Sequence, residues 1–302
     1  VRQISKHYLQ SESWRRLRSE FRKEKGFNLQ ILTSPRLRLV GHVAHERRRR
    51  SIFHDHVLEA FYGPYPETGT PSHQLPIEVL RKIREIGKQF DADIVRLHSY
   101  ESEPLGYYTL SEFVALLSTE KCAYKFMQRW TSIYPLDLHT PRQLNHGDAS
   151  VRKNLRKASA IKIIRANSAE EIEEFLVKNA SIKNRKRPKR REIRAYKEHN
   201  EHCVFFIAYD ESMRACLGTL GFVHDDVSAM EVMSSTAKGP HSRGVQEKLH
   251  LACFDEAKNL NLRFFDLAGL EMASDKSWNS VAKFKMKFGG NTVESGFIEF
   301  TV

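Results

Sequence analysis

The chain reads as an α/β protein of two tandem halves, each built on a mixed sheet, and three observations predict this. Segments with period-2 alternation come in neighbouring pairs joined by turn residues, as antiparallel hairpins do. Segments with helical spacing lead from those hairpins into short apolar strands, the pattern of a crossover back to a parallel strand. The same element order then occurs twice within 302 residues, a length that suits two domains of about 150 residues each. The halves are predicted at 1–140 and 141–302. No close sequence repeat accompanies the duplication, which is one of element order alone.

In the first half, Ser11 or Ser13 is a hydroxyl cap for a helix that places Trp14, Leu17 and Phe21 on one face. Phe27 to Thr33 and Leu37 to Val43 alternate as strands and are joined by Ser34-Pro35, which predicts a hairpin. Ile52 to Tyr62 reads as a further strand closed by Gly63-Pro64. Leu75 to Phe90 is helical through Ile77, Leu80, Ile83 and Ile86, and Ile94 to Leu97 follows as a short strand. A third hairpin or strand pair is predicted to end at Ile133 to Leu138.

The second half opens with a helix at Ala149 to Ser159 and a strand at Ile161 to Arg165. Ser168-Ala169-Glu170-Glu171 has the form of a capping box and opens a helix through Phe175 and Leu176. After a basic stretch come strands at Cys203 to Tyr209, Ala215 to His224 and Ala229 to Ser234. A helix from Gly244 to Leu260 leads to a strand at Leu262 to Leu267, and Thr292 to Val302 is the last strand.

Composition narrows the function classes. The four cysteines, Cys122, Cys203, Cys216 and Cys253, are scattered without a C-x-x-C spacing, which implies reduced thiols rather than a disulfide framework. No apolar run is long enough to span a bilayer and no signal-peptide core is present, so the expectation is a soluble, cytoplasmic protein without a membrane span. The 49 Lys plus Arg against 37 Asp plus Glu leave a formal charge of +12, which favours a polyanionic partner. The excess is clustered in Arg47 to Arg50 and again in Lys183 to Arg194. Within the second cluster, Lys183, Arg185, Lys186, Arg187, Lys189, Arg190 and Arg191 are candidate RNA contacts, and a solvated loop and helix face is the other reading. Only Tyr196 is available there to stack on a base, so a surface that tracks phosphates is favoured over one that reads bases.

Two stretches carry the chemistry. Phe284-Lys285-Met286-Lys287-Phe288-Gly289-Gly290 sets a lysine between aromatics that can anchor it and glycines that allow close backbone approach. A glycine-capped surface helix end is the competing reading. Upstream lies Val151-Arg152-Lys153-Asn154-Leu155-Arg156-Lys157-Ala158, just before the strand-like Ile161-Lys162-Ile163-Ile164. In order and spacing the two stretches resemble those of the Fem (FemABX) peptidyltransferase family, with an R-x-x-I-R-K-A-like helix and an F-K-x-x-F-G-G-like segment. Tyr62-Gly63-Pro64, Leu136-Asp137-Leu138 and Asp266-Leu267-Ala268-Gly269 are further partial matches. The resemblance covers most of the chain and is firmest from residue 132 to 302.

That resemblance implies two acetyltransferase-like (GNAT-type) halves, an aminoacyl-tRNA donor and an amine-bearing acceptor; no cofactor and no metal are expected. It implies that Lys285 is catalytic, stabilising the oxyanion of acyl transfer or steadying the nucleotide end of the donor. Phe284, Phe288, Gly289, Gly290, Arg243, Gly244 and Asp266 are then the candidate substrate-binding residues. The loop Lys238-Gly239-Pro240-His241-Ser242-Arg243-Gly244 runs into a helix N-terminus suited to phosphate. It departs from the Q/R-x-x-G-x-G/A pattern of acyl-CoA users, with His241 at the first position and Gln246 at the last. That departure favours a bulkier donor such as charged tRNA over acyl-CoA, and a capped surface loop is the other reading.

Weaker candidates complete the inventory. His54-Asp55-His56 lacks a third metal ligand at useful spacing. Asp225, Asp226 and Glu231 are predicted at strand ends, where one could take a proton from the attacking amine and where surface turn carboxylates are the simpler reading. Where Fem enzymes place an acid after the strand matching Ile94 to Leu97, this chain has His98-Ser99-Tyr100-Glu101, and the 180–200 stretch is too short and basic for a coiled-coil arm. The sequence thus points to an aminoacyl-tRNA-dependent N-acyltransferase. The alternatives are an acyl-CoA-dependent enzyme of the same fold and a noncatalytic RNA-binding module.

Overall fold

The computed structural model describes residues 16–18, 20, 25–31, 37–47, 54–61, 65–66, 77–100, 110–138, 148–239, 242–272 and 277–302. The caps proposed at Ser11 and Ser13, the side chains of Arg47 to Arg50, and Tyr62-Gly63-Pro64 lie outside the residues so described. The chain divides into two compact units, one of residues 1–130 with 293–302 and the other of residues 131–292. The sequence-based division at 140/141 differs from this in two ways. The boundary falls earlier, inside a strand, and the final strand belongs with the first unit because its backbone pairs there.

In the first unit, β1 (Lys25–Ile31), β2 (Leu37–Arg47) and β3 (His54–Phe61) form an antiparallel meander, and β4 (Tyr65–Pro66) pairs with the start of β2. Helix α1 (Ile77–Gln89) crosses back to β5 (Ile94–Tyr100), which runs parallel to β3. Val79, Leu80, Ile83 and Ile86 of α1 are buried at helical spacing. They share a core with Leu58, Ala60, Val95, Leu97, Ile298 and Phe300. Helix α2 (Leu110–Thr119), which the sequence reading did not assign, adds Phe113 and Leu117 to that core. The expected third hairpin is instead one long strand, β6 (Tyr124–Pro135), ending in a 3-10 turn at Leu136–Leu138. The strand order in this unit is β1-β2-β3-β5-β12-β6, where β12 (Asn291–Thr301) runs antiparallel to β5.

The second unit begins within β6 and continues through α3 (Ala149–Lys157), β7 (Lys162–Ala166), α4 (Ala169–Ile182) and α5 (Arg190–Glu198). Asp148 caps α3 by accepting from Ser150 N, and the capping box of α4 is complete in both directions between Ser168 and Glu171. Strands β8 (Cys203–Tyr209), β9 (Cys216–His224) and β10 (Ser228–Thr236) follow as an antiparallel meander. β8 is buried along its whole length because both its faces are covered. Val204, Phe206 and Ala208 enter the main core, while Phe205 packs on Phe175 of α4 and Tyr196 of α5. Helix α6 (Val245–Asn259) then returns to β11 (Phe264–Asp266), which pairs parallel to β10, and α7 (Ser280–Met286) precedes β12. The order here is β6-β11-β10-β9-β8-β7.

Candidate functional site

The sheet of the second unit opens between β10 and β11. The two strands pair only over Ser228–Met230 against Phe264–Asp266, after which β10 continues to Thr236 paired with β9 but without β11 beside it. Glu231 is the first residue past the last paired position, at a register irregularity between Glu231 and Met233 that can re-aim side chains locally. It is not at a strand end, as the sequence suggested, but inside β10 and buried. Asp225 fits the simpler expectation, since its carboxylate closes the β9–β10 turn by accepting from Val227 N and Ser228 N.

Lys285 reaches into this opening from α7. The helix is capped by Asn279, whose side chain accepts from Ala282 N, and it ends where Gly289 takes a left-handed φ of 84°. A glycine-capped helix end is therefore present, but its lysine is not solvated: Lys285 is 8% exposed. Its ammonium donates to the carbonyl oxygens of Leu267 and Ala268, the latter at 3.1 Å, just past the end of β11. Across the opening it faces Glu231 Oε2 at 3.7 Å. One cation thus ties the diverging strands together.

Glu231 has further partners. Its Oε1 accepts from Ser234 Oγ at 2.7 Å, and its Oε2 lies 3.3 Å from Nε2 of His250, a residue of α6. Burial alone would raise the Glu231 pKa, but the His250 hydrogen bond and charge, the Lys285 charge and the Ser234 hydroxyl outweigh it and hold the carboxyl down to about 2. So acidic a carboxylate is a poor proton acceptor near neutrality and acts as a fixed negative charge. Glu231, Ser234, Ser235, Thr236, Gln246, His250, Ser280, Val281, Phe284 and Lys285 line a cleft of about 260 Å³. A buried polar layer supports its floor: Asn179 of α4 donates to Thr219 Oγ1 at 2.8 Å, and Thr219 shares a 2.6 Å hydrogen bond with Ser235.

The candidates named from sequence separate into distinct places. Lys285 and Phe284 lie in this cleft together. Phe288 does not line it: fully buried, it stacks on the His250 ring and belongs to the core. Gly289 and Gly290 serve the backbone, the former as helix terminator and the latter where β6 passes so closely that a Cβ would stand 2.6 Å from Ser132 Oγ. Asp266 is 2% exposed and fixes the β11 end by accepting from Thr131 and, at 2.7 Å, from Ala268 N. It holds the carbonyls that hold Lys285 rather than facing a ligand.

Arg243 lies elsewhere in the unit. With Lys157, Ile161, Asp210, Ser212 and Leu217 it lines a separate cleft of about 610 Å³. Gly244 has a φ of 83°, and a Cβ there would run into the Asn154 carbonyl, so only glycine opens α6 in this way. Lys183 is the residue at the end of α4, Arg185, Lys186, Arg187 and Lys189 are exposed on the connection to α5, and Arg190, exposed, and Arg191, half-buried, open that helix. Partial burial and the neighbouring Arg185 lower the Lys183 pKa, and the charge of Glu231 opposes them. Arg187 meets Glu173 at 3.3 Å. In the first unit, the His98 that stands where an acid was expected has its Nε2 at 2.8 Å from the Glu59 carboxylate, beside Arg96. His56 bonds the Asp91 carbonyl at 3.1 Å.

His250 escaped the sequence reading. Its only sequence signal is an ionisable residue on the apolar stripe of α6, beside Leu249, Cys253 and Phe254, and that pattern is shared by many core histidines.

No protein-family model matches the sequence, and no curated protein matches it. Among solved structures, FemX superposes with a TM-score of 0.67 at 10% identity, the match covering 98% of this chain and 92% of that one. The C-terminal domain of a putative lysylphosphatidylglycerol synthetase from Agrobacterium fabrum matches at 0.56 and 10% identity, covering 96% and 87%. A tandem GNAT protein from the clavulanic acid biosynthesis pathway matches at 0.53 and 12%, covering 87% and 78%. At these identities the likeness is one of architecture: the chain has the tandem acetyltransferase-like fold of FemX and of tandem GNAT proteins.

Proposed function

We propose that this protein is an N-acyltransferase that moves an aminoacyl group from aminoacyl-tRNA to an amine of a peptide, a peptidoglycan precursor or a small metabolite. The observation that carries the reading is the Lys285 ammonium. Two carbonyls fix it in a buried opening of the sheet, and Glu231 Oε2 stands 3.7 Å away, beyond hydrogen-bonding distance, which leaves one N–H for a further acceptor. A donor so placed costs no reorganisation when negative charge develops on an acyl oxygen. In the transfer, the amine nitrogen bonds the acyl carbon, the ester C–O bond breaks, and the proton lost by the amine ends on the leaving hydroxyl. Lys285 stabilises the intermediate oxyanion, and Glu231 keeps the local charge balanced without taking the proton.

Support for a tRNA donor comes from the exposed basic connection after α4, from the departure of the 238–244 loop from the acyl-CoA pattern, and from the motifs that resemble the Fem family. FemX and the lysylphosphatidylglycerol synthetase domain are solved proteins of this fold whose names fit such chemistry. One observation favours an acyl-CoA donor instead: Gly244 opens a 15-residue helix with no side-chain cap, beside the larger cleft at Arg243. A transfer assay with extract-charged tRNA and a panel of amines separates the readings. Ribonuclease-sensitive acylation is expected. Acylation from acetyl-CoA alone would replace the tRNA donor, and RNA retention without transfer would favour a noncatalytic binding module.

A further inference from the structure

The 3.7 Å gap between Lys285 and Glu231 needs a cause. An unhindered ammonium and carboxylate close to about 2.8 Å, and both groups here are buried where their attraction is strong. The structure offers a competitor. His250 Nε2 stands 3.3 Å from the same oxygen, Oε2, while Ser234 occupies Oε1. His250 cannot drift, since its Nδ1 bonds the Gln246 carbonyl at 2.7 Å and its ring stacks on Phe288 with centroids 4.8 Å apart. Phe284 closes the other side at 5.5 Å. The two ring nitrogens of His250 stand against a carbonyl and a carboxylate, so the ring is held between two polar partners. One carboxylate oxygen is thus shared between the Lys285 ammonium and the His250 ring. A helix that needed only an apolar ring to stack on Phe288 would not carry a residue with two polar nitrogens at a site 1% exposed.

We infer that His250 is a positioning residue: by drawing the Glu231 carboxylate toward itself, it keeps the third N–H of Lys285 open to the cleft. The inference rests on the reading of Lys285 as the donor to the acyl oxyanion. Without His250, the carboxylate closes on Lys285, takes that N–H and neutralises its charge. The cation would still be present, but it would be occupied when the oxyanion forms.

His250→Phe keeps a ring to stack on Phe288 while removing both ring nitrogens. In a crystal structure of this variant, the Glu231 Oε2 to Lys285 Nζ separation is expected to contract to about 2.8 Å; a separation that stays at 3.7 Å overturns the inference. In the transfer assay kcat should fall roughly 10-fold to 100-fold, a part of the full cost of an oxyanion donor, with the KM for the acyl donor changed less than about 2-fold. Adding Glu231→Gln to His250→Phe removes the carboxylate that quenches Lys285, so the double variant should regain about 10-fold in kcat over His250→Phe. A double variant slower than His250→Phe contradicts the inference, because two independent structural losses only accumulate. His250→Gln, whose amide can still donate to Glu231, should retain more activity than His250→Phe. Should His250→Phe fail to fold, His250→Met carries the same arms. If the wild-type protein transfers no acyl group from any donor, the functional reading fails, and the separation in the crystal structure decides this inference alone.

Discussion

Lys285 and Lys287 stand two residues apart and should behave differently. Lys285→Met keeps much of the buried stem but leaves the Leu267 and Ala268 carbonyls without their donor, and it should lower kcat by roughly 100-fold to 1000-fold, with the donor KM little changed. A rise in donor KM at unchanged kcat would instead mean that the lysine grips the donor. Lys287→Met should be nearly silent, since that residue serves the fold through its backbone carbonyl, which accepts from Asp148 N at 2.9 Å. Glu231 supplies a pH test that needs no substrate. Its folded pKa, about 2, lies below the ordinary 4.5, so its contribution to stability is complete above pH 4.5 and is lost as pH falls toward 2. At about 1.4 kcal/mol per pKa unit this amounts to roughly 3 kcal/mol. Melting temperatures of wild type and Glu231→Gln should therefore converge as the pH is lowered through that window; curves that stay parallel would show that the carboxylate is not held by its neighbours. Lys285 was legible from the motif around it. The partners that give it a fixed position were not, because Glu231, His250 and the Leu267 carbonyl are distant in sequence and meet only when the sheet opens.

The basic connection between α4 and α5 makes a prediction of its own. Replacing Lys186, Arg187, Lys189 and Arg190 by glutamine should weaken tRNA binding and lower the salt-dependence slope by about one for each phosphate that is no longer neutralised. An unchanged slope in binding titrations at several salt concentrations would make the run a solvated face. The 3.3 Å pair of Arg187 with Glu173 does not argue against a role in phosphate binding, because the arginine side chain is 71% exposed and such pairs hold weakly. Elements of this kind, with strong local signals, were the ones readable in advance. The capping box at Ser168 and Glu171 and the stripe of α1 have causes within a few residues, and both appear as expected. Helix α2 was not assigned although Leu110, Phe113, Val114 and Leu117 stand at helical spacing opposite Ser111, Glu112, Ser118 and Thr119, and β6 was misread because its burial changes along its length. Its first residues are largely exposed, whereas Thr131 to Tyr134 are buried, so no single alternation runs through it.

At the scale of the whole chain, duplication of element order was visible, but the exchange of the last strand was not. Backbone pairing has no periodicity that says which sheet a strand joins, and β12 carries Ile298 and Phe300 into the core of the first unit. Deleting residues 293–302 should therefore destabilise the first unit and leave the second, residues 131–292, intact. Proteolysis that digests the amino-terminal 130 residues while sparing the rest would bear this out, and loss of the second unit first would refute it. The same strand sets an order of assembly during translation. Residues 293–302 leave the ribosome after every residue of the second unit, so the unit that is synthesised first is the one completed last. Until then β5 lacks the neighbour on its β12 side, and its unpaired backbone is open to strands of other chains. The newborn protein is thus exposed to mispairing for the whole time needed to make its second half, and a chaperone acting on it has its task in the first.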